Sequence, residues 1–143
     1  MKIFPVTEAT PAIADAVKTL LGDLSSRQLE FTLQDLQNIV CAPLTTLYIA
    51  EDEATCEVVG MFTLAACQLP TGTKVWLEDV VVSHTRQGQG LGRALLAHAV
   101  VEARLHHPGS TLMLTSRPSR LAANHLYADI MLPKDTNVYK LDL

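Results

Sequence analysis

Gly88, Gly90 and Gly92 alternate through Gln87-Gly88-Gln89-Gly90-Leu91-Gly92-Arg93, just after the run Leu77-Glu78-Asp79-Val80-Val81-Val82 and just before a segment rich in Ala and Leu. β-Branched residues favour a strand and Ala and Leu favour a helix, so the glycines mark a turn from which a helix opens. A helix start has N–H groups without partners and carries the positive end of the dipole, and glycines let an anion approach the main chain. The chemistry this implies is the binding of a phosphorylated ligand. The spacing excludes two common forms. G-x-G-x-x-G counted from Gly88 and Gly90 needs a glycine where Arg93 stands, and no Gly-Lys pair exists for an ATP-type P-loop.

The elements that must position this turn follow from periodicity. A short strand at Met1 to Pro5 precedes a helix capped by Thr10, with Pro11 at its first position, Ile13, Val17, Leu20 and Leu21 on one face, and Gly22 as its expected stop. A second amphipathic helix is expected over Leu29 to Val40, closed by Pro43. Thr45 to Glu51 and Glu57 to Leu69 read as a hairpin around the acidic turn Glu51-Asp52-Glu53-Ala54-Thr55, and Lys74 to Val82 returns as the central strand. A long helix from Gln89 to His106 carries Leu91, Leu95, Ala99 and Ala103 as one stripe and ends at Pro108-Gly109. A strand at Thr111 to Thr115, a helix from Arg120 to Ile130 and a last strand over Thr136 to Leu141 complete an α/β layout. Its central sheet is mixed and mostly antiparallel, parallel where the long helix crosses over, with helices on both faces.

At 143 residues the chain is most simply one domain, spanning 1–143, with enough length for a core. Hydrophobic content of 48% against 18% charged residues is globular, and the apolar runs are too short to cross a bilayer. No signal-peptide pattern opens the chain, so a cytoplasmic location and no membrane partner are expected. A net charge of −4 argues against nucleic acid as a partner and favours a cationic substrate. Cys41, Cys56 and Cys67 show no pairing or metal-ligand spacing and are read as buried small hydrophobes. The five histidines, His84, His98, His106, His107 and His125, also lack metal-ligand spacing, so no metal is expected.

Gln87-Gly88-Gln89-Gly90-Leu91-Gly92 reads Q-x-x-G-x-G after an acidic-then-valine strand, and resembles the acyl-CoA motif of the GNAT superfamily of N-acetyltransferases. A second block, Thr115-Ser116 followed by a helix with Ala123, Asn124, Leu126 and Tyr127, is similar to the next conserved block of that superfamily. The resemblance runs from about Trp76 to the C-terminal end, including Thr136-Asn137-Val138-Tyr139, which resembles a subset of small bacterial members. Before about residue 70 only the order of elements matches. One departure is Met131-Leu132, where similar proteins carry Gly-Phe, so this helix must stop without that glycine.

The resemblance implies an acetyl-CoA-dependent N-acetyltransferase, expected to be homodimeric in keeping with the family, that acts on a small-molecule amine by direct attack in a ternary complex. It implies that backbone amides of Gln87, Gly88, Gln89, Gly90, Leu91, Gly92 and Arg93 bind the pyrophosphate, and that main-chain groups of Val80, Val81 and Val82 pair with the pantetheine arm. Tyr127 matches the tyrosine that protonates the departing thiolate, and Asn124 either contacts the cofactor or fixes the turn. Glu78 is the candidate base because on a regular strand it shares a side with Val80 and Val82, opposite to Asp79; a β-bulge would reverse that choice. Arg117 and Arg120 either meet cofactor phosphates or are solvated, and Trp76 is read as packing. Cys67 is the candidate nucleophile for a covalent route, with nothing beside it in sequence to activate it. The rival readings are a non-catalytic acyl-CoA-binding module and a transferase using another acyl-CoA.

Overall fold

The computed structural model describes residues 1–135 and 137–141. Five strands form one sheet in the order β1-β2-β3-β4-β5: β1 (Lys2–Pro5), β2 (Thr45–Glu51), β3 (Val58–Leu69), β4 (Gly72–Val82) and β5 (Thr111–Met113). The first four are antiparallel neighbours, and β5 joins β4 in parallel, as the sequence predicts. Helices α1 (Pro11–Leu24) and α2 (Leu33–Val40) cover one face, and α3 (Leu91–His106) and α4 (Leu121–Ala128) the other.

Alternation along the strands separates two cores. Leu47, Ile49 and Met61 pack with Val17 and Leu20 of α1 and Leu36 of α2. Tyr48, Ala50, Phe62, Leu64, Val75 and Leu77 pack with Leu95, Leu96, Ala99 and Ala103 of α3 and Tyr127 of α4. Tyr48 stacks on Phe62 at 4.7 Å between ring centroids, and its hydroxyl donates to Glu102 on α3 at 2.9 Å.

Several boundaries differ from expectation for local reasons. α1 runs through Gly22 to Leu24, since Leu24 joins the core beyond it and an interior glycine costs only about 1 kcal/mol. α2 begins at Leu33 rather than Leu29, because Thr32 and Asp35 form a capping box that fixes the first turn; Leu29 is left exposed. α3 starts at Leu91, with Gly90 as a left-handed cap. β5 ends at Met113 because β4 moves away from it, and α4 spans Leu121–Ala128 rather than Arg120 to Ile130. Without a glycine stop, α4 unwinds by N–H bonds from Ile130 and Met131 that both end on the Tyr127 carbonyl, at 3.1 and 2.8 Å. Of the expected last strand, Thr136 lies outside the described residues and 137–141 form no strand. All three cysteines are exposed, not buried: Cys41 caps α2, Cys56 takes a positive φ in the hairpin turn, and Cys67 lies on the outer end of β3. Among the described residues no helix is long and apolar enough to cross a membrane.

Gly60 is where β3 meets α3 most closely. A Cβ there would lie 3.0 Å from the Val81 carbonyl oxygen and 3.1 Å from Leu95 Cδ1. Backbone cannot yield as a flexible side chain can, so Gly60→Ala is expected to destabilise the fold by about 1–3 kcal/mol. A lowered urea midpoint at unchanged m-value checks this, and an unchanged midpoint refutes it.

Candidate acyl-CoA and acceptor site

The site is built where β4 leaves β5. Their pairing covers Lys74↔Thr111, Val75↔Leu112 and Trp76↔Met113 only. From Leu77 onward β4 is paired on the β3 side alone, and its other edge is open. The Ser83 N–H donates to Val59 at 2.9 Å, so by alternation Val81 turns its main-chain groups to β3 while Val80 and Val82 turn theirs outward. Side chains meet those outward carbonyls. Arg120 Nη2 donates to Val80 O at 3.5 Å and Gln87 Nε2 to Val82 O at 3.3 Å.

A bulge interrupts β4 within the acidic pair. Thr63 faces Glu78 and Met61 faces Val81, so Asp79 and Val80 together oppose Phe62. Asp79 takes the left-handed conformation, φ 52°, which Asp tolerates better than most residues. The bulge shifts the alternation: Leu77, Val80 and Val82 face α3, while Val81 faces α1. Glu78 therefore shares its side with Val81 and not with Val80 and Val82, correcting the regular-strand expectation.

Both carboxyls keep solvent access, yet the protein crowding them pushes their pKa values up; for Glu78 the negative charge of Asp79 adds to this. Tyr127 lies on the opposite face, buried in the α3 core, and burial raises its hydroxyl pKa while the Arg120 charge draws it back down. The other described tyrosines are placed for other roles. The Tyr48 hydroxyl is engaged by Glu102 and Tyr139 is 89% exposed.

The glycine turn forms the end of the open edge. Ser83 leads into a 3-10 turn over His84–Arg86; Gly88 and Gly90 then adopt positive φ of 77° and 81°, and α3 begins. Ala94 N–H makes the first helical bond, to Gly90 O at 3.2 Å, and no side chain caps the helix. The amides of Leu91, Gly92 and Arg93 thus have no intrahelical acceptor and point out of the helix start. Gly92 lets α4 dock close, since a Cβ there would meet Leu126 at 3.4 Å, and the Arg93–Asp129 ion pair ties the same helices together.

Two of three anchors, Arg86 and His84, were not foreseen from sequence, and the third, Asn124, takes the structural one of its two expected roles. Arg86 is held by Asp52 at 2.8 Å and Glu57 at 3.7 Å, fixing the turn to the β2–β3 hairpin. His84 bonds Asp23 of α1 through both its N–H, at 3.1 Å, and its ring, at 2.9 Å. Asn124 donates to the carbonyls of Arg117 and Pro118 at 2.9 and 3.4 Å, so its amide fixes the loop before α4. The acidic turn at 51–53 was the one visible sign of the first.

Two cavities measure about 300 and 400 Å³, the smaller lined by Gln89, Gly90 and Leu91 of the glycine turn itself. The smaller adjoins the glycine turn beside Asp52, Arg86 and Gln89, and the larger sits between β1, α2 and β2; neither is lined by Glu78, Asp79 or Tyr127. Glu78 and Asp79 are instead exposed at the β4 bulge, and Tyr127 is buried in the α3-side core. Cys67 lies opposite Lys74, at the far end of β4 from Val80, and Trp76 makes the last pair with β5.

A sequence model of the acetyltransferase (GNAT) family matches residues 15–131. No curated protein sequence matches the chain significantly. Solved structures share the fold across essentially the full length. A putative acetyltransferase from Agrobacterium tumefaciens superposes with a TM-score of 0.84 at 18% identity, covering 100% of both chains. An aminoglycoside acetyltransferase from an uncultured soil metagenomic sample, in complex with sisomicin, gives 0.83 at 14% identity, covering 99% of this chain and 95% of that one. Glucosamine-6-phosphate N-acetyltransferase from Arabidopsis thaliana gives 0.75 at 14% identity, covering 99% of each. With its family match spanning most of the sequence and its fold shared by these enzymes, the chain belongs to the GNAT acetyltransferase family.

Proposed function

We propose that the protein transfers an acetyl group from acetyl-CoA to the primary amine of a small molecule by direct attack in a ternary complex. The observation that carries this reading is the open edge of β4, bounded by the uncapped α3 start at one end and flanked by Glu78 and Tyr127 from opposite faces of the sheet. The outward groups of Val80 and Val82 offer an extended amide chain the pairing that a strand would have, and the free amides at Leu91–Arg93 suit its pyrophosphate. Two structural neighbours are named for acetylation of aminoglycosides and of glucosamine-6-phosphate, in keeping with a small amine acceptor.

In this reading Glu78 takes a proton from the incoming ammonium, directly or through water, and Asp79 helps keep its basicity high. The free amine attacks the thioester carbonyl; a C–N bond forms, the C–S bond breaks with its electron pair on sulfur, and the nitrogen releases its second proton to water. Tyr127 gives its proton to the departing sulfur. No enzyme nucleophile is needed, and Cys67 is too far along β4 to serve as one.

Thiol release from acetyl-CoA should depend on added amine in a screen of small amines. Tyr127→Phe should lower kcat by about 100-fold or more with CoA affinity unchanged by calorimetry. CoA binding without thiol release for any amine would instead favour a non-catalytic binding module, and faster turnover with another acyl-CoA would reassign the donor.

Because the Glu78 pKa is raised, the rate should climb with pH through a limb above the ordinary carboxylate range, and Glu78→Gln should remove that limb. A limb that persists in Glu78→Gln refutes this assignment.

The same shifts bear on stability. A carboxyl whose pKa is higher folded than unfolded costs the fold nothing while protonated in both states, weakens it as pH rises from the unfolded value to the folded one, and does so in full above the folded value. The Glu78→Gln, Asp79→Asn double variant should therefore gain thermal stability over the native protein at pH 7 and lose that advantage at pH 3. An equal difference at both pH values would show the carboxyls to be unperturbed.

A further inference from the structure

Tyrosines aside, Thr63 is the one buried residue with a polar side chain among the described residues, at 9% exposure. It lies on β3 between Phe62 and Leu64, which face α3, and opposite Leu47 of β2, which packs under α1 and α2. Alternation therefore puts its side chain on the α1 side of the sheet. Toward β4, Thr63 pairs directly with Glu78, the last pair before the bulge. Side chains of a direct cross-strand pair share one face with Cβ atoms about 4.5–5.5 Å apart, a gap that a glutamate folded toward a threonine can close. Neither the Thr63 hydroxyl nor the Glu78 carboxylate has a hydrogen-bond partner among the described residues. A buried hydroxyl without a partner weakens a fold, and valine has the same branched shape without that cost. The hydroxyl is thus unexplained by packing and stands beside the candidate base.

We propose that Thr63 is a positioning residue whose hydroxyl donates a hydrogen bond to the ionised Glu78 carboxylate and leaves its other oxygen aimed at the acceptor amine. The proposal rests on Glu78 being the base of the acyl-transfer reading above and adds the residue that orients it. Glu78 is exposed and its carboxyl otherwise turns among several rotamers. With one oxygen held from β3, the other takes the ammonium proton, and Thr63 keeps its own proton throughout.

The surroundings leave this role to Thr63. β3 and β5 carry no charged residue. On β4 the charged groups are Asp79 and, four residues back, Lys74. On α1, Lys18 is paired with Glu30 and Asp23 with His84, while Asp15 is exposed; Asp35 of α2 closes its capping box with Thr32, and Arg27 is exposed between the two helices. The charge that bears on Glu78 is that of Asp79, which together with burial makes ionisation harder. A donor to the ionised form acts in the opposite direction.

The test compares native protein with Thr63→Val, which keeps the branched shape and removes the donor, and Thr63→Ser, which keeps the donor. In the first measurement, made without substrate, the Glu78 carboxyl is titrated by NMR in protein labelled with 13C at the glutamate carboxyl carbons, its signal assigned by its loss in Glu78→Gln. Thr63→Val should titrate about one pH unit higher than native, a roughly tenfold fall in the ionised fraction on the acid side, and Thr63→Ser should stay close to native. In the second, kcat/KM for an accepted amine is followed against pH. Its acid limb should move upward in Thr63→Val and stay in place in Thr63→Ser. On a Glu78→Gln background, Thr63→Val should lower the rate by no more than about twofold. A purely structural role would lower the rate and leave the limb where it is. An unmoved Glu78 titration in Thr63→Val, an equal shift in Thr63→Ser, or a full loss of rate on the Glu78→Gln background would overturn the proposal. If the titration moves as expected and native protein acetylates no amine, the acyl-transfer reading fails and the aiming role with it, while the Thr63–Glu78 bond stands.

Discussion

The structure depends on β4 being paired on both sides over Lys74–Trp76 and on one side beyond them. A strand edge left open beside a core is normally a liability, since each outward N–H and C=O needs a partner. Here β5 stops at the Trp76–Met113 pair, and β4 carries its bulge at Asp79 on the open stretch that follows. It is partly satisfied by side chains, Arg120 on Val80 and Gln87 on Val82, which an incoming chain of amides can displace. Covering that edge with a longer β5 would give a more regular sheet and leave no place for a ligand to pair.

The same bulge allocates the chemistry to two faces. With one extra residue in β4, Glu78 falls on the α1 side while Val80 and Val82 fall on the α3 side with Tyr127. A regular strand would place Glu78 on the same side as Val80 and Val82. The base and the acid of an acyl transfer act on different atoms, the attacking nitrogen and the departing sulfur, which approach and leave from roughly opposite directions. In the proposed reading, two groups on opposite faces would let two substrates approach from opposite sides and meet at the β4 edge.

Much of this was legible in the residues. The glycine spacing located the helix start, the apolar stripe of α3 named its buried side, and the valine run marked the central strand. What escaped has a common physical cause: features set by contacts distant in sequence. Asp79 looks like an ordinary strand residue, and only its register against Phe62 makes it a bulge. Gly22 looks like a helix stop, yet Leu24 reaches the core and carries the helix past it. Arg86 and Arg120 look like solvated cations until the partners 34 and 40 residues away are placed beside them. The cysteines were misread because hydrophobicity was taken as a guide to burial at positions that turn geometry puts outside. By contrast, Thr32 and Asp35 formed a local capping signal that could have been read directly.

Electrostatics follow the same division. The donor side carries the positive end of the α3 dipole and the Arg120 guanidinium, and the acceptor side carries Glu78 and Asp79. An anionic cofactor and a cationic amine would each be drawn to their own face and disfavoured on the other. At surface-like screening a unit charge pair 4 Å apart is worth about 4 kcal/mol before desolvation, enough to sort ligands by side even after large losses to solvent and salt. The net charge of −4 adds a long-range pull on the amine and a weak opposition to the cofactor. In the proposed reading, affinity for the cofactor comes from directed backbone contacts at the glycine turn and the β4 edge, and Arg86 and His84 hold that turn in place.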